Sequence, residues 1–354
     1  MTKVVIALSG GVDSSVAAAL LVKEGYEVVG VTMRLWSEPG CEEENRCCTP
    51  QTRHLASQLA AQLGIPFKVL ETSEAFRREV VQPFLDGYSR GDTPNPCIFC
   101  NRRLKWGYLW EYCQSINADY LATGHYARIV ENDQGKLELW CGLDESKDQS
   151  YFLSLLTQDD LSHTLFPLAS YTKQEVREIA HSLSLPSADQ PESQDLCFLG
   201  SRDYRDFLAE YAPEAVHPGE IVSTSGQVLG EHNGLAFFTI GQRKGLPSSS
   251  QALYVIDKDL AGNRLVVGTQ SELGRDAMVV AGVNWIAGEP PADQFTAEVK
   301  IRFKAAKTPA IVKVLDTGKV QVGFSQSLRD ITPGQMAVFY KGDLVLGGGT
   351  IDAR

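Results

Sequence analysis

Three groups of residues in this chain have the types and spacing to do chemistry. The first is Ser9-Gly10-Gly11-Val12-Asp13-Ser14-Ser15, directly after the apolar run Val4-Val5-Ile6-Ala7-Leu8. A buried strand here runs into a glycine turn, and the turn opens a helix read from Val16, Leu20 and Leu21, ending near Gly25. Backbone N–H groups and a helix N-terminus then point at one spot and stabilise an anion there. No Gly-Lys-Ser/Thr follows, so the loop is not a Walker A motif. It reads as a pyrophosphate loop, which splits ATP between the α and β phosphates and so adenylates an acceptor. Ser9, Ser14 and Ser15 are possible phosphate donors, and Asp13 a possible holder of Mg²⁺. The plain alternative is a tight strand–turn–helix junction with a Ser cap.

The second group is Thr93-Pro94-Asn95-Pro96-Cys97-Ile98-Phe99-Cys100-Asn101. Two prolines fix an extended approach, and a helix is expected to start near Asn101. A cysteine at a helix N-terminus beside Arg102 and Arg103 has its thiolate stabilised. That suits a nucleophile or sulfur carrier, although a Cys-x-x-Cys pair is equally half of a metal site or part of an iron–sulfur cluster. The third is Cys197, in Ser193-Gln194-Asp195-Leu196-Cys197-Phe198-Leu199. Sulfur transfer through a persulfide needs a second thiol to resolve the first, and Cys197 would supply it by folding back over the sheet rim. Cys41, Cys47 and Cys48, with His54, match no familiar zinc spacing. Cys113 and Cys141 read as core filler.

The elements that must position these groups follow from the pattern. Strands are expected at 3–8, 27–33, 67–70 and 119–123, with helices between them. A further helix starts at the capping box of Thr172 and Glu175. This rhythm implies a doubly wound parallel α/β sheet, with ligands at the carboxyl ends of its strands. After about residue 210 short β-like runs take over: 235–241, 253–257, 264–268, 277–284, 295–303, 310–315, 320–324 and 337–346. We read a catalytic domain over 1–205, a small β-rich linker domain over 206–274 and a C-terminal β-barrel over 275–354.

The net charge of −11 repels nucleic acid as a whole, but local fields matter more than the sum. Basic clusters occur at Arg102, Arg103 and Lys105, at Arg243 and Lys244, and at Lys300, Arg302 and Lys304. The last has period two and would share one strand face. No signal peptide or membrane span is read, so a cytoplasmic location is expected. There, eight cysteines serve better as thiols, ligands or catalysts than as a disulfide framework.

In six motifs, taken in order, the chain resembles the bacterial tRNA-specific 2-thiouridylases (MnmA-type). They are Leu8-Ser9-Gly10-Gly11-Val12-Asp13-Ser14, the 93–101 segment, Ala122-Thr123-Gly124-His125-Tyr126-Ala127-Arg128, Lys147-Asp148-Gln149-Ser150-Tyr151-Phe152-Leu153, the 193–198 segment, and Thr239-Ile240-Gly241-Gln242-Arg243-Lys244-Gly245-Leu246. The resemblance implies an adenine nucleotide alpha hydrolase-like (PP-loop) sheet and ATP-dependent 2-thiolation of the tRNA wobble uridine. Ala7, Leu8, Ser9, Gly10, Gly11, Val12, Asp13 and Ser14, with Met33 and Gly124, would bind ATP with its Mg²⁺. Cys100 would be the nucleophile and Cys197 the persulfide carrier. Asn95, Pro96 and Cys97 would meet the target uracil. His125, Lys147, Asp148, Gln149, Arg302, Phe303 and Gln335 would contact tRNA, with the Lys, Glu and Gln isoacceptors as substrates. A cysteine desulfurase or relay protein would donate the sulfur. Many family members carry Asp where this chain has Cys97, so a thiol must take that role or the role is absent. An iron–sulfur cluster on Cys97, Cys100 and Cys197 is one alternative. A PP-loop amide synthase acting on a small molecule is another.

Overall fold

The structure is a computed structural model. It describes residues 1–37, 49–191, 196–200 and 202–352. Cys41, Cys47, Cys48 and residues 193–195 lie outside those ranges.

Strand β1 (Lys3–Ala7) alternates its side chains between two cores. Val4 and Ile6 join one cluster, and Val5 joins the other. A strand buried on both faces needs helices on both sides, and its near-continuous apolar run reflects that. Around it lie β2 (Glu27–Arg34), β3 (Phe67–Glu71), β4 (Tyr120–Ala122), a hairpin of β5 (Ala127–Glu131) and β6 (Leu137–Cys141), and the two-residue β7 (Thr164–Leu165). The sheet order is β3-β2-β1-β4-β7, all parallel. The order reverses between β1 and β4, where such sheets bind ligands.

Helix α1 (Val12–Lys23) packs on one face with α2 (Pro50–Leu63), and so does the helix that starts at Lys173. On the other face lies a long helix over 96–115, whose Trp106, Leu109 and Cys113 enter the core. This helix begins at Pro96, earlier than the expected Asn101. The Asn95 side chain accepts the Cys97 N–H at 3.2 Å, and Pro96 takes the first helical position, where its missing N–H costs nothing. From Cys100 to Leu109 the helix widens to a π-helix, a form that concentrates at functional sites.

The middle unit holds β8 (Gly219–Ser223), β9 (Val228–His232), β10 (Tyr254–Asp259) and β11 (Arg264–Gly268), ordered β10-β11-β8-β9. The expected strand at 235–241 is instead a short 3₁₀ turn, Leu235–Phe237, followed by a loop. In the C-terminal unit β12 (Arg275–Trp285), β13 (Gln294–Lys300), β14 (Thr308–Val314), β15 (Val320–Leu328), β16 (Met336–Lys341) and β17 (Leu344–Asp352) form a barrel. It closes through β12–β17 pairing. The expected run 337–346 is really β16, a Gly342-Asp343 turn and the start of β17. The β5–β6 hairpin belongs to this barrel sheet. Leu139 and Trp140 of β6 pair with Val345 and Leu344 of β17.

Candidate active site

The 9–15 loop leaves β1 and enters α1 with Gly11 as a cap that lends no side chain. A serine cap is therefore not what starts the helix. Gly10 has φ +78°, and a Cβ there would meet the Thr52 carbonyl at 2.5 Å. Ser14 Oγ donates to the Gly11 carbonyl at 3.1 Å and lies 3.2 Å from Ser9 Oγ, so both hydroxyls stay at the loop. Ser15 differs. It is buried, donates to Gly11 O at 2.9 Å and accepts from Ser187 at 2.7 Å, so it holds the core and does not face a phosphate.

The backbone of Ala7 and Leu8 is fixed against β2. Ala7 registers with Val31, Leu8 N donates to Val31 O at 2.7 Å, and Thr32 Oγ1 donates to Leu8 O at 2.8 Å. Buried Val12 anchors α1 in the core. Gly124, just past β4, packs so closely on α1 that a Cβ would lie 2.7 Å from Ser14 N. Asp13 sits in the first turn of α1, where a carboxylate suits the dipole. Its Oδ1 accepts from Tyr126 Oη at 2.7 Å and from Lys173 Nζ at 2.6 Å. Sequence reasoning missed Tyr126 and Lys173. The signal for Lys173 was a cation at the first position of a capped helix, where the dipole disfavours it.

Cys100 and Cys197 both pack against one apolar cluster built on Phe76, Phe84, Leu104, Phe198 and Phe207. Met33, at the end of β2, packs on the same cluster. Cys100, Cys197 and Met33 thus all border one apolar cluster. Cys97 is exposed on the first turn of its helix. Among the described residues no three His, Cys, Asp or Glu side chains gather to hold a metal.

The basic cluster beside Cys100 is divided among other partners. Arg102 pairs with Asp160 at 3.0 Å and Arg103 with Glu79 at 2.7 Å. Lys105 Nζ lies 2.8 Å from His125 Nε2, and His125 Nδ1 lies 2.7 Å from Gln149 Oε1. Burial first, and then the Lys105 charge, lower the His125 pKa to about 3. Neutral His125 thus accepts from Lys105 and donates to Gln149. Lys147 is half-buried. Asp148 is buried and turned inward, accepting from the N–H groups of Gly142 and Ser150 at 3.0 and 3.1 Å and from Ser150 Oγ at 2.9 Å. Burial pushes the Cys113 thiol up to about 12 and raises Cys141, which suits inert core residues.

Thr93, just before the Asn95-Pro96-Cys97 segment, is tied to both of the other units. Gln335 Nε2 donates to Thr93 O at 2.7 Å, Thr93 N donates to Pro333 O at 2.8 Å, and the Thr93 and Thr239 hydroxyls lie 3.5 Å apart. Arg302 donates to Thr332 Oγ1 at 2.6 Å and to Ile240 O at 3.3 Å. Phe303 packs on Phe152 with centroids 4.4 Å apart. The period-two basic face does not form, because β13 ends at Lys300 and Arg302 and Lys304 lie in the turn beyond it. Lys300 is partly buried, over the Phe303 ring at 5.7 Å, and desolvation lowers its pKa.

A family model described as the tRNA methyl transferase HUP domain matches residues 2–201. A PRC-barrel domain model of the same series matches 205–269, and an aminomethyltransferase β-barrel domain model matches 275–351. The chain is 46% identical over 357 aligned residues to the tRNA-specific 2-thiouridylase MnmA of Carboxydothermus hydrogenoformans, covering 99% of this chain and 98% of the relative. It is 45% identical to the protein of the same name from Chloroflexus aggregans, again covering 99% and 98%. The chain belongs to the tRNA-specific 2-thiouridylase family. Its doubly wound sheet, small β-rich middle unit and closed six-stranded barrel are the fold expected from the sequence. Among the described residues no helix is long and apolar enough to cross a membrane.

Proposed function

We propose that this enzyme uses ATP to replace the C2 oxygen of the tRNA wobble uridine with sulfur. The observation that carries this reading is that Cys100, Cys197 and Met33, at the end of β2, all border one apolar cluster. Two thiols on one cluster, in a chain that also carries a pyrophosphate loop, fit sulfur delivery to an adenylate. Methyl transfer, which the family-model names mention, needs neither.

In this reading ATP binds at Ala7–Ser14 with Met33 and Gly124, and Asn95, Pro96 and Cys97 meet the uracil. A single-stranded anticodon base is easily splayed into such a site. The uracil C2 oxygen attacks the α-phosphorus, the bond to the β-phosphate oxygen breaks, and pyrophosphate leaves. The N3 proton is lost as the adenylate forms. First-turn N–H groups of α1 stabilise the charge on the phosphates. Mg²⁺ arriving with ATP would supply further neutralisation there, with Asp13 as the nearby carboxylate. The outer sulfur of a Cys197 persulfide then adds to C2, and the C2–O bond breaks to release AMP. The Cys100 thiolate attacks the Cys197 sulfur. The S–S bond breaks towards the base, N3 regains a proton, and a Cys100–Cys197 disulfide remains. A dithiol reductant resets it, and a cysteine desulfurase or relay protein reloads Cys197. His125, Lys147, Asp148, Gln149, Arg302, Phe303 and Gln335 serve the tRNA side, with Asp148 acting through the loop it ties down. The substrates are the tRNAs for Lys, Glu and Gln.

Mass spectrometry of tRNA nucleosides after incubation with ATP and a sulfur source tests this. Wild type should yield 2-thiouridine, with pyrophosphate release that depends on tRNA. Cys100→Ser and Cys197→Ser should bind ATP and tRNA normally and yield none. Full activity in either variant would sink the relay. Iron-dependent activity would favour a cluster, and pyrophosphate release on a small amide acceptor without tRNA would favour the synthase.

A further inference from the structure

We propose that Asp144 is a positioning residue that makes tRNA binding and ATP binding strengthen one another, acting through the segment 142–152. This rests on the tRNA and ATP sites proposed above, but not on how sulfur is delivered.

The segment starts where β6 ends, at Cys141, and is tied at both ends. On the tRNA side Phe152 packs on Phe303, and the buried Ser150 hydroxyl lies 3.4 Å from the Tyr340 hydroxyl of the barrel. On the nucleotide side there are two ties. Gln149 N donates to Tyr126 O at 3.0 Å, and the Tyr126 hydroxyl reaches Asp13 in the first turn of α1. Asp144 makes the other. Its Oδ2 accepts from Lys173 N at 3.0 Å, at the start of the helix Lys173–Ser182. Val176 and Ala180 of that helix share a core cluster with Val16 and Ala17 of α1. The second oxygen, Oδ1, accepts from Ser146 N at 3.0 Å and Ser146 Oγ at 2.6 Å, and Lys147 N donates to Asp144 O at 3.0 Å. One carboxylate thus joins the turn that carries Lys147 to a helix packed on α1.

Neither partner needs Asp144 for its own closure. The helix already has a reciprocal cap from Thr172 and Glu175. The segment is already closed by Asp148, which accepts from Gly142 N and Ser150 N. What Asp144 adds is the connection between them. The Lys173 and Ser146 donors, Lys173 N–H first, hold its carboxyl below the usual carboxylate range, so the tie is charge-assisted. A segment pinned at both ends has one arrangement that satisfies both. A ligand that stabilises this arrangement at one end favours the ligand at the other, and by linkage the effect is equal in both directions. An enzyme that splits ATP gains from this, because the nucleotide is then held best when its acceptor is present.

The test is calorimetry with α,β-methylene-ATP, which cannot lose pyrophosphate, and an unmodified tRNA transcript for Lys. Each ligand is titrated with and without the other. In wild type each should tighten the other by the same factor, at least about fivefold. Asp144→Ala should bind each ligand alone within about twofold of wild type, while the factor falls below about two. Asp144→Asn keeps an acceptor for the Lys173 N–H and should retain part of the factor. An unchanged factor in Asp144→Ala overturns the assignment. So does a wild type that binds both ligands independently. Weaker binding of each ligand alone, with the factor kept, would mean that Asp144 only holds the fold, and this too overturns it. Failure of the tRNA to bind wild type at all would sink the functional reading itself, and the assignment with it.

Discussion

His125 illustrates how little of a side chain's state is written in its identity. As a residue following Gly124 it reads as an RNA contact. In the fold it is a neutral link between Lys105, on the cysteine helix, and Gln149. Its pKa falls from an unfolded value near 6.5 to about 3, by burial and then by Lys105. The folded form therefore refuses a proton that the unfolded chain accepts. Its contribution to stability is complete above about pH 6.5 and is lost as the pH falls from there towards 3. His125→Gln should lose less stability than wild type over that window, read as urea midpoints at pH 7 and pH 4.5. Parallel losses in the two proteins would contradict the assignment. The sequence marked the loop serines, Asp13 and both site cysteines by type and spacing. Lys105 looked like part of a solvated basic face, because nothing local in sequence reveals a partner twenty residues on.

At the scale of elements, the proposed nucleotide site depends on how closely three pieces of backbone approach. The apolar run of β1 and the glycine turn made the strand–loop–helix unit legible, because both signals are local. The third piece, the chain after β4, is legible only as a motif, yet it decides the geometry. Gly124→Ala would place a methyl group 2.7 Å from Ser14 N, with backbone rather than a flexible side chain in its way. The variant should keep its far-ultraviolet dichroism. It should lose ATP affinity by about tenfold or more, as one displaced set of backbone donors would cost. Unchanged affinity would mean that the first turn of α1 can shift without consequence. The same scale explains two misread elements. Period two at 300–304 continued past the end of β13 into a turn, and the two-residue β7 carries too few positions for any pattern to show.

At the scale of the molecule, the catalytic unit and the barrel share a sheet and a clamp. The clamp closes on the segment that leads into the cysteine helix, through Gln335 and Pro333 of the barrel and Thr239 of the middle unit. Gln335→Ala should leave ATP binding within about twofold of wild type. It should lower kcat/KM for tRNA thiolation by roughly five- to tenfold, the worth of one hydrogen bond of about 1 kcal/mol. A fall in ATP affinity of the same size would show instead that the clamp serves the whole domain. No composition or periodicity could reveal this coupling, since it joins residues 146 and 242 positions apart. The shared sheet has a consequence for how the protein is made. The β5–β6 hairpin ends at Cys141, but its partner strand β17 begins only at Leu344 and so leaves the ribosome much later. At about 5–20 residues per second, roughly two hundred residues of further synthesis take ~10–40 s. For that interval the nascent chain carries an open strand edge, a known template for misassociation. Newborn copies of this enzyme should therefore depend on shielding by chaperones more than separately folding domains would.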